Sequence, residues 1–128
     1  MDKIKFELEF LLKTSPRVLE NMIATPAGLS EWFADDVTIK DDIITFTWEG
    51  DSEIGKLISK KSTDKIKWQW TEDEEDGIDS YCEIKYQIDP MTKILVLNIT
   101  DFAEEDEMEE SQRLWENQIH HLKQVLGA

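Results

Sequence analysis

Two adjacent histidines, one cysteine, a glycine-rich octapeptide and two dense acidic runs are the parts of this chain with chemistry to offer. His120 and His121 fall in a helical pattern, where neighbours point about 100° apart and cannot turn both imidazoles toward one metal. Glu116 lies one turn before His120 and can pair with its charged form. Asn117 stands in the same relation to His121 and offers a neutral hydrogen bond. Spacing supplies no further ligands, so this is a solvated helix face. Cys82 sits between Tyr81 and Glu83 with its side chain on the Ile84 face. A thiolate needs positive neighbours or a helix N-terminus, and the local charge is negative, so the thiol is structural. Gly50-Asp51-Ser52-Glu53-Ile54-Gly55-Lys56-Leu57 spells G-x-x-x-x-G-K. It fails as a phosphate loop: Leu57 stands where a hydroxyl must reach magnesium, two acids occupy the loop, and the context is strand–turn–strand. No nucleophile-elbow motif is present. Among 29 acids, chance carboxylate pairs are too common to signal catalysis. We assign no catalytic residue, no metal ligand and no cofactor.

The acids cluster as six between Glu72 and Asp79 and seven between Asp101 and Glu110. Asp73, Glu75 and Gly77 lack the full spacing of a calcium loop, and the expectation for Glu72–Asp79 is a solvated hairpin loop. Glu104 to Glu110 opens the last helix, where the macrodipole favours negative charge. The formal net charge is −15, from 14 basic and 29 acidic groups. Such a surface repels phosphate backbones, which argues against nucleic acid and leaves a basic protein as the macromolecular partner that charge would favour. At 128 residues, 40% hydrophobic and 34% charged, the chain has the size and make-up of one globular domain over 1–128. No apolar run approaches the ~20 residues of a membrane span. The N-terminus alternates from Ile4 to Phe10 and does not read as a secretory signal. A lone cysteine forms no internal disulfide, so the expected compartment is the cytoplasm.

The elements that would position these residues follow from periodicity. Ile4, Phe6, Leu8 and Phe10 alternate in a half-buried strand ending near Leu12. Ser15-Pro16 and Thr25-Pro26 are helix starts, cap followed by proline. The first helix carries Val18, Leu19, Met22 and Ile23, and the second Leu29, Trp32 and Phe33. Strands resume with Val37 and Ile39, then Ile44, Phe46 and Trp48, with a turn at Asp41-Asp42. After a turn at Gly50-Asp51-Ser52 they continue through Ile54 to Lys60, a polar stretch from Lys61 to Asp64, and Ile66, Trp68 and Trp70. Cys82, Ile84, Tyr86 and Ile88 follow, and after Asp89-Pro90 the last strand runs from Ile94 to Thr100. A long helix from about Asp106 to Leu126 shows Met108, Leu114, Trp115, Ile119, Leu122, Val125 and Leu126 as apolar positions, with Gly127 at its stop. Strands joined by short turns are antiparallel, and a sheet with one buried face needs a cover that only the last helix is large enough to give. The fold class is α+β: a curved antiparallel sheet of about seven strands, two short helices after the first strand, and a long C-terminal helix across the concave face.

This order resembles the helix-grip fold of the START-like (SRPBCC, Bet v 1-like) superfamily, close to short bacterial homologues of the heat-shock ATPase activator branch. The resemblance rests on Ser15-Pro16, Thr25-Pro26-Ala27-Gly28-Leu29, Trp32-Phe33, Trp68-Gln69-Trp70 and the amphipathic last helix. It spans essentially the whole chain. Many members of that branch carry Gly-Trp near the start of the last helix, where this chain has Leu114-Trp115. The extra domain by which true activators engage their partner is missing, so that activity is not carried over.

The resemblance implies a cavity between the concave face and the last helix, used across the superfamily for lipids, polyketides and similar apolar molecules. The residues agree in kind. Phe46, Trp48, Trp68, Trp70, Ile84 and Tyr86 share one inner face, opposed by Trp115, Ile119 and Leu122. These nine are the candidate ligand-binding residues. The same rings could instead fill a solid core, since burial is expected either way. Three readings follow: a non-catalytic domain binding a small hydrophobic ligand; a protein-interaction or homodimerising module with a filled core; and, by analogy with cyclase members, an enzyme.

Overall fold

The computed structural model describes residues 3–58 and 64–127. Strand β1 spans Ile4–Leu12, helix α1 Pro16–Ile23 and helix α2 Pro26–Trp32. Strands β2 (Asp36–Lys40), β3 (Ile43–Trp48), β4 (Asp51–Leu57) and β5 (Lys65–Trp70) follow, then a short helix α3 (Thr71–Glu75). Strands β6 (Cys82–Ile88) and β7 (Leu95–Ala103) lead through a 3-10 turn at Glu105–Glu107 into helix α4 (Met108–Leu126). The seven strands form one antiparallel sheet in the order β1-β7-β6-β5-β4-β3-β2. Every neighbouring pair except β1–β7 is consecutive in the chain, and α1 and α2 bridge the two edges.

The helix starts form as their caps dictate. The Ser15 hydroxyl accepts the Val18 N–H at 3.3 Å, and Thr25 Oγ1 accepts the Gly28 N–H at 2.9 Å, with proline following each cap. Glycine at 28 is required by close approach: a Cβ there would lie 1.8 Å from the Asn21 carbonyl oxygen. The β2–β3 and β3–β4 turns put Asp41, Asp42, Glu49 and Gly50 at positive φ, the backbone of two-residue hairpins whose twist matches the strands. Asp35 steadies the second turn by accepting the Glu49 N–H at 2.7 Å.

Three expectations change. The strand after Gly50 already begins at Asp51 and ends at Leu57, Ile58 lies beyond it, and residues 59–63, which hold the end of its expected span and most of the polar stretch, lie outside the described residues. The acidic run at 72–79 is not simply a loop. It opens with α3, three acids in its first turn where the helix dipole favours them, and Asp73 turns inward. Asp73 is 6% exposed, takes Lys3 Nζ at 2.9 Å on both oxygens, and accepts the Ser80 hydroxyl at 2.6 Å. Finally, the buried stripe of α4 is Trp115, Ile119 and Leu122, with Met108 and Leu126 partly buried beside it. Leu114 and Val125 lie about one residue's rotation off that stripe and face outward, 57% and 38% exposed.

Candidate functional site: the mouth of the sheet–helix grip

Strand alternation places Phe46 and Ile44 (β3), Trp68 and Ile66 (β5), Ile84 (β6), and Leu97 and Ile99 (β7) on the concave face, all buried. Ile84 faces Ile66 on one side and Ile99 on the other. Together with Ile119 and Leu122 of α4 they form a packed core. Phe33, just past α2, is the hub of the rings. Its centroid lies 5.1 Å from Phe46, 5.5 Å from Trp48, 5.8 Å from Trp68 and 5.5 Å from Trp115, and such aromatic pairs add to simple burial.

Toward the N-terminal half of α4 the packing opens into a cavity of about 480 Å³, within the range of small-molecule sites. The sheet lines it with Trp48, Glu53, Trp70, Cys82 and Asp101, and α4 with Ser111, Leu114, Trp115 and Gln118. Phe33 stands between the two layers. The walls are fixed by hydrogen bonds. Trp48 Nε1 donates to the Phe33 carbonyl at 2.8 Å, and Trp115 Nε1 to Asp101 Oδ2 at 2.8 Å. With its amide nitrogen turned toward α2, Gln118 donates to the Trp32 and Phe33 carbonyls at 3.2 and 3.1 Å. Helix α4 is thereby tied both to the sheet and to the end of α2.

The nine predicted residues divide. Trp48, Trp70 and Trp115 line the cavity. Phe46, Trp68, Ile84, Ile119 and Leu122 lie behind it in the packed core, each at most 1% exposed. Tyr86 sits away from the cavity lining, its hydroxyl donating to a Glu20 carboxylate oxygen of α1. That bond, with some burial, pushes the tyrosine pKa up to about 12. Trp68 Nε1 is buried without a hydrogen-bond partner among the described residues.

The residues missed are the acids of the wall. Asp101 belongs to the second acidic run, yet it falls in phase with Leu95, Leu97 and Ile99 and so points inward. Burial pushes its carboxyl up, while the Trp115 indole and the Phe102 N–H, at 2.8 Å on the other oxygen, hold it down in part. Glu53 is in phase with Gly55 and Leu57 on β4. Its carboxyl is raised by partial burial and then by Glu72, with Lys3 opposing. The signal that finds both is a carboxylate at an inward position of an alternating strand. Burial holds the Cys82 thiol well above the usual range, with the charges of Asp101 and Glu83 adding to it, the behaviour of a structural cysteine.

The histidines are both exposed on α4. The Gly50–Leu57 segment is a hairpin, β3 to β4. Glu104, Asp106 and Glu107 bring carboxylate oxygens within 4.8 Å of one another on the surface, and a hydrogen bond with Glu104, then its charge, raises the Glu107 carboxyl. Among the described residues, no helix is long and apolar enough to cross a membrane.

A family model described as a START-like superfamily domain matches residues 1–128. Among solved structures, the BfR322 protein of Bacteroides fragilis is 33% identical, with 98% of this chain and 92% of that one covered and a TM-score of 0.65. A structure described as the Aha1 dimer from Colwellia psychrerythraea is 17% identical, covers 96% of both chains and has a TM-score of 0.78. CalU16 from Micromonospora echinospora is 11% identical, over 97% of this chain and 76% of that one, with a TM-score of 0.73. No curated protein matches the chain.

Proposed function

The chain belongs to the START-like superfamily, and from that premise we propose that it is a non-catalytic domain binding a small hydrophobic molecule between sheet and α4. The observation that carries this reading is the cavity of about 480 Å³ walled by Phe33, Trp48, Trp70 and Trp115. Apolar burial against those rings supplies affinity, at roughly 25 cal/mol per Å² before ordering costs. In this reading Phe46, Trp68, Ile84, Ile119 and Leu122 are the floor that keeps the walls in place. The direct test is native mass spectrometry of freshly purified protein, alone and after adding 1-octanol, beside a denatured sample. A discrete extra mass that disappears on unfolding supports the reading. An apo mass that takes up no octanol contradicts it.

A second reading, homodimerisation, is favoured by one observation: the Colwellia neighbour is described as a dimer. Leu114, 57% exposed at the cavity rim, would then be a contact residue. Light scattering over a wide concentration range tests it. A mass rising toward twice 15.0 kDa, abolished by Leu114→Glu, supports a dimer through this rim; a constant monomer mass removes it.

A further inference from the structure

We propose that the cavity selects a ligand whose head is a positively charged nitrogen, a protonated amine or quaternary ammonium, carried on an apolar body. The proposal deepens the binding reading above and rests on it. Its basis is the composition of the wall: two carboxylates, Glu53 and Asp101, beside four aromatic rings, with no Lys, Arg or His among the lining residues. Ring faces attract cations through their quadrupole, and carboxylates through charge. A fatty-acid head would meet the repulsion of both carboxylates there.

Asp101 keeps capacity for such a head. Each of its oxygens accepts one bond, from the Phe102 N–H and from the Trp115 indole, both at 2.8 Å, and a carboxylate oxygen has a second acceptor site. The Trp115 bond also fixes the indole beside that carboxylate, so charge and ring line the cavity together. Lys3, whose ammonium acts on both Glu53 and Asp101, is held by Asp73, its Nζ 2.9 Å from both carboxylate oxygens, and does not line the cavity. The net charge of −15 draws small cations toward the mouth and turns anions away.

Isothermal calorimetry with four probes of one chain length tests this: octylammonium, octyltrimethylammonium, 1-octanol and octanoate, at physiological salt. We expect both cations to bind about tenfold more tightly than octanol, the scale of one cation–π or half-buried charge contact, with octanoate weakest. Glu53→Gln and Asp101→Asn should each remove most of that preference, read as the ratio of cation to octanol affinity in the same variant. Glu53 projects from a strand and its side chain makes no hydrogen bond or ion pair among the described residues, so its variant stays informative even where Asp101→Asn perturbs Trp115. A Glu104→Gln, Glu107→Gln double variant, altering only the exposed cluster, should leave the cations unaffected. Octanol or octanoate binding as tightly as the cations overturns the head preference but leaves the binding domain standing. Equal weakening by the surface double variant assigns the cations to the general surface and overturns the proposal. No binding of any probe overturns this inference and the binding reading together.

Discussion

The concave face is written in one alternating code, yet its two ends behave differently. Where Ile66, Ile84, Leu97 and Ile99 meet Ile119 and Leu122, every inward position is a bulky hydrocarbon and the space is filled. Where Glu53, Cys82 and Asp101 meet Ser111 and Gln118, the inward positions are small or polar, and the rings of Trp48, Trp70 and Trp115 stand around a cavity. The lesson concerns volume: alternation decides which side chains face the helix, and their size and polarity decide whether anything else fits between.

The largest test of that contrast is to truncate one ring from each end. Trp68→Ala empties the packed core and should cost about 3–5 kcal/mol of unfolding free energy. Trp70→Ala, at the cavity wall, should cost under about 2 kcal/mol because the space it leaves joins one already open to water. Denaturant titration of both variants checks the order, and equal losses would erase the distinction. The same Trp70→Ala protein should weaken probe binding well beyond Lys67→Ala, whose ammonium lies on the outer face, 4.1 Å above the Tyr81 ring.

Next comes Gly55→Ala. Its Cβ would sit 2.7 Å from Trp68 Cδ1, so the ring must move, at about 1–3 kcal/mol for such overpacking. If Tm stays unchanged, the floor behind the cavity is looser than the packing implies. Asp73→Ala should cost about 1–2 kcal/mol, since Lys3 can rehydrate but the Ser80 hydroxyl loses its buried acceptor. Thermal melts of Asp73→Ala beside Glu74→Ala separate this inward acid from its exposed neighbour.

The smallest effect is a pH dependence. Burial raises the Asp101 carboxyl, so the folded protein holds that proton more readily than the unfolded chain. Its contribution to stability is therefore present at low pH and is lost as pH rises from the ordinary aspartate value, near 4, through the raised folded one. Glu53 acts in the same direction. Asp101→Asn cannot ionise and should flatten the decline of Tm over that window; an unchanged slope would place the pH dependence elsewhere.

Much of the fold is legible in the sequence because its signals are local. Ser15-Pro16 and Thr25-Pro26 each form the cap their spelling predicts, and the alternation of Ile44 with Phe46 and of Ile66 with Trp68 carries into the sheet as buried positions. Helix α3 was not legible, for a physical reason: its five residues, Thr71–Glu75, have no apolar period, and Asp73 is secured by Lys3, 70 residues away. Such a long-range pair leaves no local trace. The candidate site was legible in half. The residues facing the helix were readable from alternation, but the depth at which α4 rides over them was not. That depth follows from the Trp115–Asp101 and Gln118–Phe33 bonds and the Phe33–Trp115 stack, none of which is a neighbour relation in sequence.

The contrast between the two ends is tested most directly by the five indole N–H signals in a proton–nitrogen NMR titration with 1-octanol. Each tryptophan reports its own place in the fold. The account predicts saturable shifts for Trp48, Trp70 and Trp115 at the mouth, with Trp68 in the packed core and Trp32, bonded to the Met22 carbonyl, nearly still. No saturable shift at the mouth, or shifts of Trp68 as large as those of Trp70, would contradict a binding cavity set against a filled core.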